Sequence, residues 1–503
     1  MVDEDRRNRL PIDGLRDWAR RDPDRVALDD LTTTMTFAEL LAYVESTAPV
    51  ARAAMRSQPS GAHLPVIVDR SVGSAAAVFA CFFGRVPFVP IDAAMEPQLM
   101  EALARRTGGS RVFLDGAGSG AGVPGAFALD VSVTPPQVDP ADAPDDASPA
   151  LVLFSSGSTG VPKGIVLSWK AMESRWRGRD GLDAWYPPDA RRQPLFLPLD
   201  SAWGIHEAVL VASGFGQLIV NPAALRPADL LLSLATFEPT ALALPAQVAR
   251  VLAQLPESTV TPLPSVERVH IGGEGFRYEF FDGLRPLFRP DAVMVHSLAS
   301  SEGAWVLLNE FALADSASIG PVHVGTELFP GTLRLEAVPD LGAGLAEVHV
   351  GGAIATEYLD DPRLTAERFY ADADGRQWWR SHDLVSFDAE VGAFRHAGRM
   401  DDVVKVRGKL ASPSDVTAVL LEIDGVAGAI TIPVVTEGAT RLVAHVEIAD
   451  ESTVRLDDLR RALAARLPAH AVPSAIMRHE RLPVTERGKV DRAALMDGPF
   501  AAW

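Results

Sequence analysis

Residues 151–164 read LVLFSSGSTGVPKG, an apolar run that passes into a loop of glycine and hydroxyl side chains and ends in a lysine and a glycine. The apolar part predicts a buried β-strand, because short apolar runs bounded by turn residues are typical of strands. Glycine lets backbone N–H groups approach phosphate oxygens closely, and a lysine adds a mobile positive charge. The stretch therefore predicts a strand followed by a polyphosphate-binding loop. The predicted contacts are Ser155, Ser156, Gly157, Ser158, Thr159, Gly160 and Lys163.

The loop does not have the spacing of a Walker A motif. In that motif a glycine precedes the lysine and a serine or threonine follows it, whereas here Pro162 precedes Lys163 and Gly164 follows it. A P-loop NTPase is therefore disfavoured. A flexible turn of small residues is the simpler alternative, but an ordered match over residues 151–164 is hard to reach by composition alone.

Further motifs follow along the chain in a fixed order. They are residues 86–92 (VPFVPID), 271–274 (IGGE), 296–302 (HSLASSE), 364–369 (LTAERF), 380–384 (RSHDL), 398–401 (GRMD) and 482–492 (LPVTERGKVDR). Together with the loop they resemble the adenylate-forming superfamily, which includes acyl-CoA synthetases, luciferases and the adenylation domains of nonribosomal peptide synthetases. The resemblance covers nearly the whole chain and is in particular to a stand-alone amino-acid adenylation enzyme. It implies that ATP and a carboxylic acid react to give an acyl-AMP and pyrophosphate.

The resemblance implies a role for each matching position. Glu302 would hold Mg²⁺, Asp383 would accept hydrogen bonds from the ribose hydroxyls, and Lys489 would bridge the substrate carboxylate and the nucleotide. Asp401 matches the hinge about which a small domain moves between the two half-reactions. Taken alone, each of these residues would be read as a surface or turn residue. The remaining nucleotide contacts implied are Gly272, Gly273, Glu274, Leu298, Ser301 and Arg399.

Asp200 lies where amino-acid-activating members carry the aspartate that pairs with the substrate ammonium. A buried carboxylate is costly without a cation, so this position favours an amino acid over a fatty or aryl acid. The alternative is an aspartate that turns the chain after Pro198. The other predicted lining residues are Ser201, Gly204, Ala243, His270, Gly272, Ser297, Trp305 and Val306, together with Lys489. Trp305 would limit the depth of the pocket, and His270 would either meet a polar substrate group or be a core histidine.

Three stretches depart from the family pattern, and the mildest of them is Ser381-His382-Asp383 in place of Thr-Gly-Asp. Leu298 stands where the family has the tyrosine that stacks on adenine, which predicts a weaker contact. The run after the hinge, usually Gly-x-Arg-Ile-Glu, reads Gly408-Lys409-Leu410-Ala411-Ser412. This run lacks the arginine and the glutamate of the family pattern, with Lys409 and Arg407 as the candidate substitutes for the arginine. This second departure bears on transfer of the acyl group more than on adenylation.

The fold class expected is α/β, with short buried strands at Val66–Val68 and Phe88–Ile91 around an Ala-rich helix. We expect a large N-terminal domain of several subdomains with sheets and packed helices (1–398), a hinge (399–402) and a small mobile α+β domain (403–503). Leucines spaced three and four residues apart predict an amphipathic helix from Leu456 to Leu467. The stretch from Gly116 to Pro149 is predicted to be an irregular connector.

The composition excludes several partners. A net charge of −19, from 66 acidic and 47 basic residues, repels nucleic acid and anionic membranes. The N-terminus has no apolar signal region and the single cysteine, Cys81, lies in an apolar stretch, so we expect a soluble cytoplasmic protein with a buried thiol. No carrier segment follows Asp491, which predicts that any carrier protein is a separate chain.

The leading hypothesis is an enzyme that uses ATP and Mg²⁺ to load an amino acid onto the phosphopantetheine thiol of a carrier protein. The alternatives are an acyl- or aryl-CoA synthetase, which uses CoA as the thiol, and a ligase that passes the acyl group to an amine. A nucleotide-binding relative without turnover is a further class, and the retained Lys163, Glu302, Asp383 and Lys489 argue against it.

Overall fold

The computed structural model of the chain describes residues 11–56, 58–108, 112–116, 127–128, 145–155, 162–177, 192–213, 216–220, 225–273, 279–318, 323–327, 329, 331–339, 341, 344–421, 423–436, 439–448, 453–483 and 490–497. Most of the connector predicted between Gly116 and Pro149 lies outside these residues. The element order is mixed α/β, as the sequence predicted.

The α-helices of the described residues are α1 Pro11–Arg21, α2 Phe37–Arg56, α3 Val72–Phe83, α4 Pro97–Arg106, α5 Trp169–Arg177, α6 Ala202–Val209, α7 Pro227–Phe237, α8 Ala246–Ala253, α9 Glu279–Leu284, α10 Pro362–Arg368, α11 Pro413–Leu421, α12 Leu456–Arg466 and α13 Arg492–Asp497.

The strands of the same residues are β1 Val26–Asp29, β2 Thr34–Thr36, β3 Leu64–Val68, β4 Phe88–Asp92, β5 Val112–Asp115, β6 Phe127–Ala128, β7 Pro149–Ser155, β8 Lys163–Ser168, β9 Arg192–Leu195, β10 Gly216–Ile219, β11 Ala241–Pro245, β12 Arg268–Gly272, β13 Val293–Ser300, β14 Ala304–Ala312, β15 His323–Glu327, β16 Leu333–Ala337, β17 Leu345–Gly351, β18 Glu357–Tyr358, β19 Phe369–Ala371, β20 Gln377–Asp388, β21 Ala393–Arg399, β22 Val404–Val406, β23 Lys409–Ala411, β24 Val426–Thr436, β25 Ala439–Ile448 and β26 Ala475–His479.

The chain divides into two compact units. The first comprises residues 1–333 and 350–379, and the second comprises residues 334–349 and 380–503. The predicted hinge at 399–402 and the predicted small domain from residue 403 both fall within the second unit. The functional division into a large domain, a hinge and a mobile small domain remains a prediction.

A seven-stranded sheet of the first unit, in the order β18-β8-β7-β4-β3-β5-β6, carries the predicted phosphate-binding stretch. All five residues of β3 are buried, and β3 pairs in parallel with β4, so the two strands predicted there are confirmed. The crossover between them is the Ala-rich α3, whose first turn is capped by Ser71 Oγ accepting from Ser74 N at 3.2 Å. Strands β7 and β8 of this sheet pair antiparallel, and the predicted phosphate-binding loop joins them.

A larger sheet of the first unit runs in the order β15-β14-β13-β12-β11-β9-β10-β1-β2. Parallel pairing joins the six central strands, in the order β13, β12, β11, β9, β10 and β1. Antiparallel pairing adds β14 and β15 on one side and β2 on the other. In parallel sheets ligands bind at the edge where the carboxyl ends of the strands meet. The predicted acid-binding residues of β11, β12 and β13 lie on adjacent strands of this sheet.

The second unit contains a three-stranded sheet, β24-β25-β26, packed against α11 and α12. The amphipathic helix predicted from Leu456 to Leu467 is α12, and its Leu459 and Leu463 are fully buried. The short hairpin β22–β23, the strands β16 and β21, and the larger parts of β17 and β20 belong to the same unit.

Cys81 lies on α3 and is fully buried, and its burial raises the pKa of the thiol. This agrees with the buried structural thiol predicted from the sequence. Within the described residues, none of the helices combines the length and the apolar character needed to cross a bilayer.

Candidate active site

The predicted phosphate-binding loop connects two antiparallel strands whose ends are held together. Ser155 of β7 and Lys163 of β8 are register partners, and Lys163 is partly exposed. Gly164 leaves little space for a side chain, because a Cβ atom there would lie 2.8 Å from Cβ of Leu359. The side chain of Ser155 and all of Ser156 to Gly160 lie outside the described residues, so their phosphate contacts remain predictions.

Four of the predicted acid-binding residues, Ala243, His270, Ser297 and Trp305, form one cluster on β11 to β14. Pairing places Ala243 directly opposite His270, and His270 Nε2 lies 2.7 Å from Ser297 Oγ. The ring centroids of His270 and Trp305 are 6.4 Å apart, and Val306 beside Trp305 is buried. The cluster is therefore a small, mostly enclosed group of one hydroxyl, one imidazole and apolar surfaces.

The imidazole of His270 is neutral at physiological pH. Burial, together with the charges of the neighbouring His296 and Arg268, lowers the pKa of His270 to about 3. The ring therefore shares its hydrogen bond with Ser297 without carrying a charge. It forms a polar and uncharged wall of the cluster.

Ser201 and Gly204 both serve the start of helix α6. Ser201 Oγ accepts a hydrogen bond from Gly204 N at 3.0 Å and donates one to the Pro198 carbonyl at 2.7 Å. A Cβ atom at Gly204 would lie 2.1 Å from the same carbonyl oxygen, so only glycine fits there. Ser201 and Gly204, which were predicted to touch the substrate, thus stabilise the first turn of α6. In doing so they fix the backbone next to Asp200.

Asp200 is a buried carboxylate, with 5% of its surface exposed, immediately before the N-cap of α6. A negative charge is favoured at a helix N-terminus by the helix dipole. The guanidinium of Arg70 lies close enough to interact with this carboxylate. Burial lowers the pKa of Arg70, whereas the negative charges of Asp92 and Asp200 act to raise it. Arg70 also donates to the carbonyls of Phe196 and Val220. Asp200 thus has a cationic neighbour within the chain, which the sequence did not reveal.

Glu302, the predicted Mg²⁺ ligand, is held at both its side chain and its backbone. Tyr358 donates its hydroxyl to Glu302 Oε1 at 3.1 Å and accepts from Trp379 Nε1, also at 3.1 Å. Arg175 donates to the carbonyls of Glu302 at 2.8 Å and of Ser301 at 2.9 Å. Burial lowers the pKa of Arg175 to about 10, and the charge of Glu302 opposes this shift, so Arg175 remains charged at neutral pH.

The other predicted nucleotide contacts of the first unit lie at the end of β12 and on β13. Gly272 ends β12 and is buried, whereas Gly273 is exposed and has a φ of +90°. Leu298 is partly buried and pairs with Leu307 of β14. Glu274 lies outside the described residues.

In the second unit, Asp383 is 7% exposed and is surrounded by basic groups. Its Oδ1 lies 3.1 Å from His396 Nε2 and 3.3 Å from Arg399 Nη1. Burial acts to lower the pKa of Arg399, but the charges of Asp383, Asp401 and Asp402 raise it overall. These contacts fix the carboxylate predicted to bind the ribose.

His382 replaces the glycine of the family's Thr-Gly-Asp motif, and it keeps a glycine-like backbone with a φ of +61°. Its Nδ1 lies 2.6 Å from Asp401 Oδ1, and its backbone N–H donates to Glu347 Oε1 at 3.2 Å. The substitution looked mild in the sequence. The structure shows that the new side chain contacts the residue predicted to be the hinge.

The second departure from the family pattern lies in the β22–β23 hairpin. Leu410 is 38% exposed and its carbonyl oxygen lies 2.8 Å from His470 Nε2. Lys409 and Arg407, the possible substitutes for the missing arginine, are both exposed. Lys489, predicted to bridge acid and nucleotide, lies outside the described residues.

The family model of AMP-binding enzymes matches residues 15–332, which is more than half of the chain. The chain belongs to the AMP-binding enzyme family. The resemblance to the adenylate-forming superfamily, predicted from the motifs, is confirmed.

The AMP-binding enzyme resembles parts of longer proteins. It is 32% identical over 448 residues to the probable non-canonical nonribosomal peptide synthetase CymA of Salinispora arenicola, a match that covers 87% of this chain and 5% of CymA. It is 28% identical over 533 residues to the phosphinothricin tripeptide synthetase PhsC of Streptomyces viridochromogenes, covering 99% of this chain and 46% of PhsC. The chain thus spans less than half of the length of these two relatives.

Solved structures share the fold over almost the whole chain. Klebsiella oxytoca NpsA, in complex with 3-hydroxyanthranilyl-AMSN, has a TM-score of 0.78 and 21% identity and covers 97% of this chain and 99% of its own. The amide bond synthetase McbA from Marinactinospora thermotolerans has a TM-score of 0.76 and 21% identity, with the same coverage.

The AMP-binding enzyme has a carboxylate that suits a magnesium ion. Mg²⁺ keeps several waters and is bound by one or two carboxylates and the substrate phosphates, so a cage of protein ligands is not required. Within the described residues, no cluster of three or more metal-ligating side chains occurs. Glu302 is partly exposed and accepts a hydrogen bond from Tyr358 at Oε1, which fits a single-carboxylate site.

The sequence did not single out Arg70, Arg175, Trp203 or Tyr358. Arg70 follows β3, Arg175 lies on α5, and each reaches residues more than a hundred positions away along the chain. No local pattern encodes such contacts. Tyr358 precedes the family-like residues 364–369, and Trp203 lies between the predicted lining residues Ser201 and Gly204, so these two were close to recognised positions.

Proposed function

We propose that this enzyme activates an amino acid as its aminoacyl-AMP and then transfers the aminoacyl group to the phosphopantetheine thiol of a separate carrier protein. The observation that carries the proposal is the buried carboxylate of Asp200, 5% exposed, at the start of the helix that borders the cluster of His270 and Ser297. A buried negative charge beside the bound acid attracts the ammonium group of an amino acid.

The proposed chemistry begins with attack of a substrate carboxylate oxygen on the α-phosphorus of ATP. The bond from that phosphorus to the pyrophosphate oxygen breaks, and pyrophosphate leaves. Mg²⁺, held by Glu302, would neutralise phosphate charge, and Lys163 and Lys489 would add positive charge at the phosphates and at the acid. Asp383, fixed by His396 and Arg399, would hold the ribose. In the second step the thiol sulfur bonds to the acyl carbon, AMP leaves, and the thiol proton passes to solvent.

A second candidate is an enzyme for acids without an ammonium group, either an acyl- or aryl-CoA synthetase or an amide-forming ligase. The observation that favours it is Arg70. Because this guanidinium already lies near Asp200, the carboxylate has a cationic neighbour when no amino acid is bound. The buried charge then does not by itself require a substrate ammonium.

Pyrophosphate exchange with matched pairs of acids separates the two candidates. Each pair consists of an amino acid and the same acid without the amino group, such as alanine and propionate. The proposal predicts a preference for the amino member of about a hundredfold or more, because losing one partner of a buried ion pair costs about 3–5 kcal/mol. Asp200→Asn should abolish that preference.

The matched control is Asp92→Asn, which removes the other carboxylate that acts on Arg70. This variant should keep the preference for amino acids. Equal or better exchange with the deaminated acids, unchanged in Asp200→Asn, would contradict the proposal and support the second candidate. Offering a phosphopantetheinylated carrier protein, CoA or an amine to the loaded enzyme then identifies the acceptor.

A further inference from the structure

The indole ring of Trp203 lies against the end of strand β12, among the residues predicted to bind the acid. A Cβ atom added at Gly272 would lie 3.1 Å from Trp203 Cη2 and 3.2 Å from Cζ3. The ring centroids of Trp203 and His270 are 5.0 Å apart. The six-membered part of the indole therefore covers Gly272 and one side of His270.

A buried hydrogen bond holds this ring in place. Trp203 Nε1 donates to Glu207 Oε1 at 2.7 Å, one helical turn further along α6. Glu207 is fully buried, and its other carboxylate oxygen accepts from the side chain of Gln193. Hydrogen bonds to a buried charged group are strong, so the indole is fixed and cannot easily swing away from β12.

The second tryptophan of the cluster also packs against an aromatic ring of helix α6. Trp305 packs edge to face against His206 of α6, with ring centroids 4.2 Å apart. Space for the acid side chain is thus limited by one tryptophan from the helix and another from β14. Of the two, Trp203 makes the closer approach to the strand end at Gly272.

We propose that Trp203 sets the upper size limit of the acid, and that the substrate is a small acid whose side chain has no more than a few non-hydrogen atoms. The proposal rests on the proposed function, since it assumes that the acid binds at this cluster. Gly272 contributes to the same size limit, because any side chain at this position would contact the indole ring. Trp203 was not among the predicted substrate contacts, and its position on Gly272 is visible only in the folded chain.

The test measures kcat/KM for pyrophosphate exchange over acids of increasing side-chain size, from glycine through alanine and valine to phenylalanine, with their deaminated counterparts. The wild-type enzyme should be most active with the smallest acids. Trp203→Ala should move the optimum to larger acids, raising the ratio of large-acid to small-acid kcat/KM at least tenfold. Trp203→Phe, with a smaller ring and no donor to Glu207, should give an intermediate shift.

Two further variants keep the test decisive. Gly272→Ala should act in the opposite direction and reduce activity with every acid larger than glycine, which does not depend on whether Trp203→Ala folds. Trp18→Ala removes a partly buried tryptophan of α1 that packs on Phe37, and it should leave the size order unchanged.

The outcomes distinguish this inference from the proposed function. If the wild type catalyses exchange and Trp203→Ala shows the same order of kcat/KM with acid size, the role of Trp203 is overturned and the proposed function is not. A wild-type preference for phenylalanine-sized acids would overturn the size limit alone. Exchange with none of the acids, by any variant, would overturn the proposed function and this inference together.

Discussion

Replacing His382 by alanine and by glycine separates its backbone conformation from its side-chain contact. The residue has a φ of +61°, where a non-glycine residue loses about 1–2 kcal/mol relative to glycine. Alanine keeps this cost and removes the imidazole, whereas glycine removes both. The bond from Nδ1 to Asp401 Oδ1 measures 2.6 Å, but Asp401 is 46% exposed, which places the contribution of the bond at about 1 kcal/mol.

These values predict that His382→Ala lowers the free energy of unfolding by about 1 kcal/mol, and that His382→Gly leaves it within about 1 kcal/mol of the wild type. The alanine variant should be the less stable of the two by about 1 kcal/mol. Urea unfolding with a shared m-value measures the difference from the two midpoints.

Arg407 provides the matched control. It is exposed in the β22–β23 turn and has a φ of +52°. Arg407→Gly should again be more stable than Arg407→Ala by about 1 kcal/mol. If alanine is as stable as glycine at residue 382 but not at residue 407, the left-handed conformation assigned to His382 is wrong.

Three other outcomes follow from the site and the core. Lys489→Ala should slow acyl-AMP formation in single turnover by at least about a hundredfold while leaving ATP binding largely intact, because the bridging charge is needed in the transition state; an unchanged rate removes Lys489 from the mechanism. Tyr358→Phe should raise the Mg²⁺ concentration for half-maximal exchange several-fold, since Glu302 loses a hydrogen-bond donor, and an unchanged Mg²⁺ titration would contradict that link. Burial lowers the pKa values of His63 and His445 to about 4, and His479 contributes to the shift at His445. As the pH falls, these histidines are therefore protonated in the unfolded chain before they are protonated in the folded protein. Stability is lost as the pH falls from about 6.5 towards 4. Each should contribute about 2 kcal/mol of lost stability between pH 7 and pH 5, and a flat unfolding free energy over this range would refute the assignment.

Motif order predicted the family and the α/β fold because each motif is a continuous stretch that can be recognised from the sequence alone. The same reasoning placed His270, Ser297 and Trp305 in one cluster, and the strand pairings bring them together. It missed Trp203, because its approach to Gly272 depends on how a helix packs on a strand about seventy residues later.

The charged neighbours of the site residues also could not be predicted from local sequence patterns. The sequence suggested that Asp200 needs a substrate cation, whereas the fold brings Arg70 from the end of β3 to its vicinity. In the same way, a histidine in place of a motif glycine looked neutral until the structure placed His382 against Asp401. Interactions between distant segments, rather than local patterns, decide these details.

The central claim, that this chain forms an acyl adenylate, is tested most directly by following oxygen from the acid. The enzyme is incubated with ATP, Mg²⁺, an acceptor thiol and the acid that supports pyrophosphate exchange best, labelled with ¹⁸O in its carboxylate. Attack of the carboxylate on the α-phosphorus predicts AMP that carries one ¹⁸O atom, formed in equal amount with pyrophosphate. Formation of ADP and phosphate, or of AMP without the label, would contradict the claim.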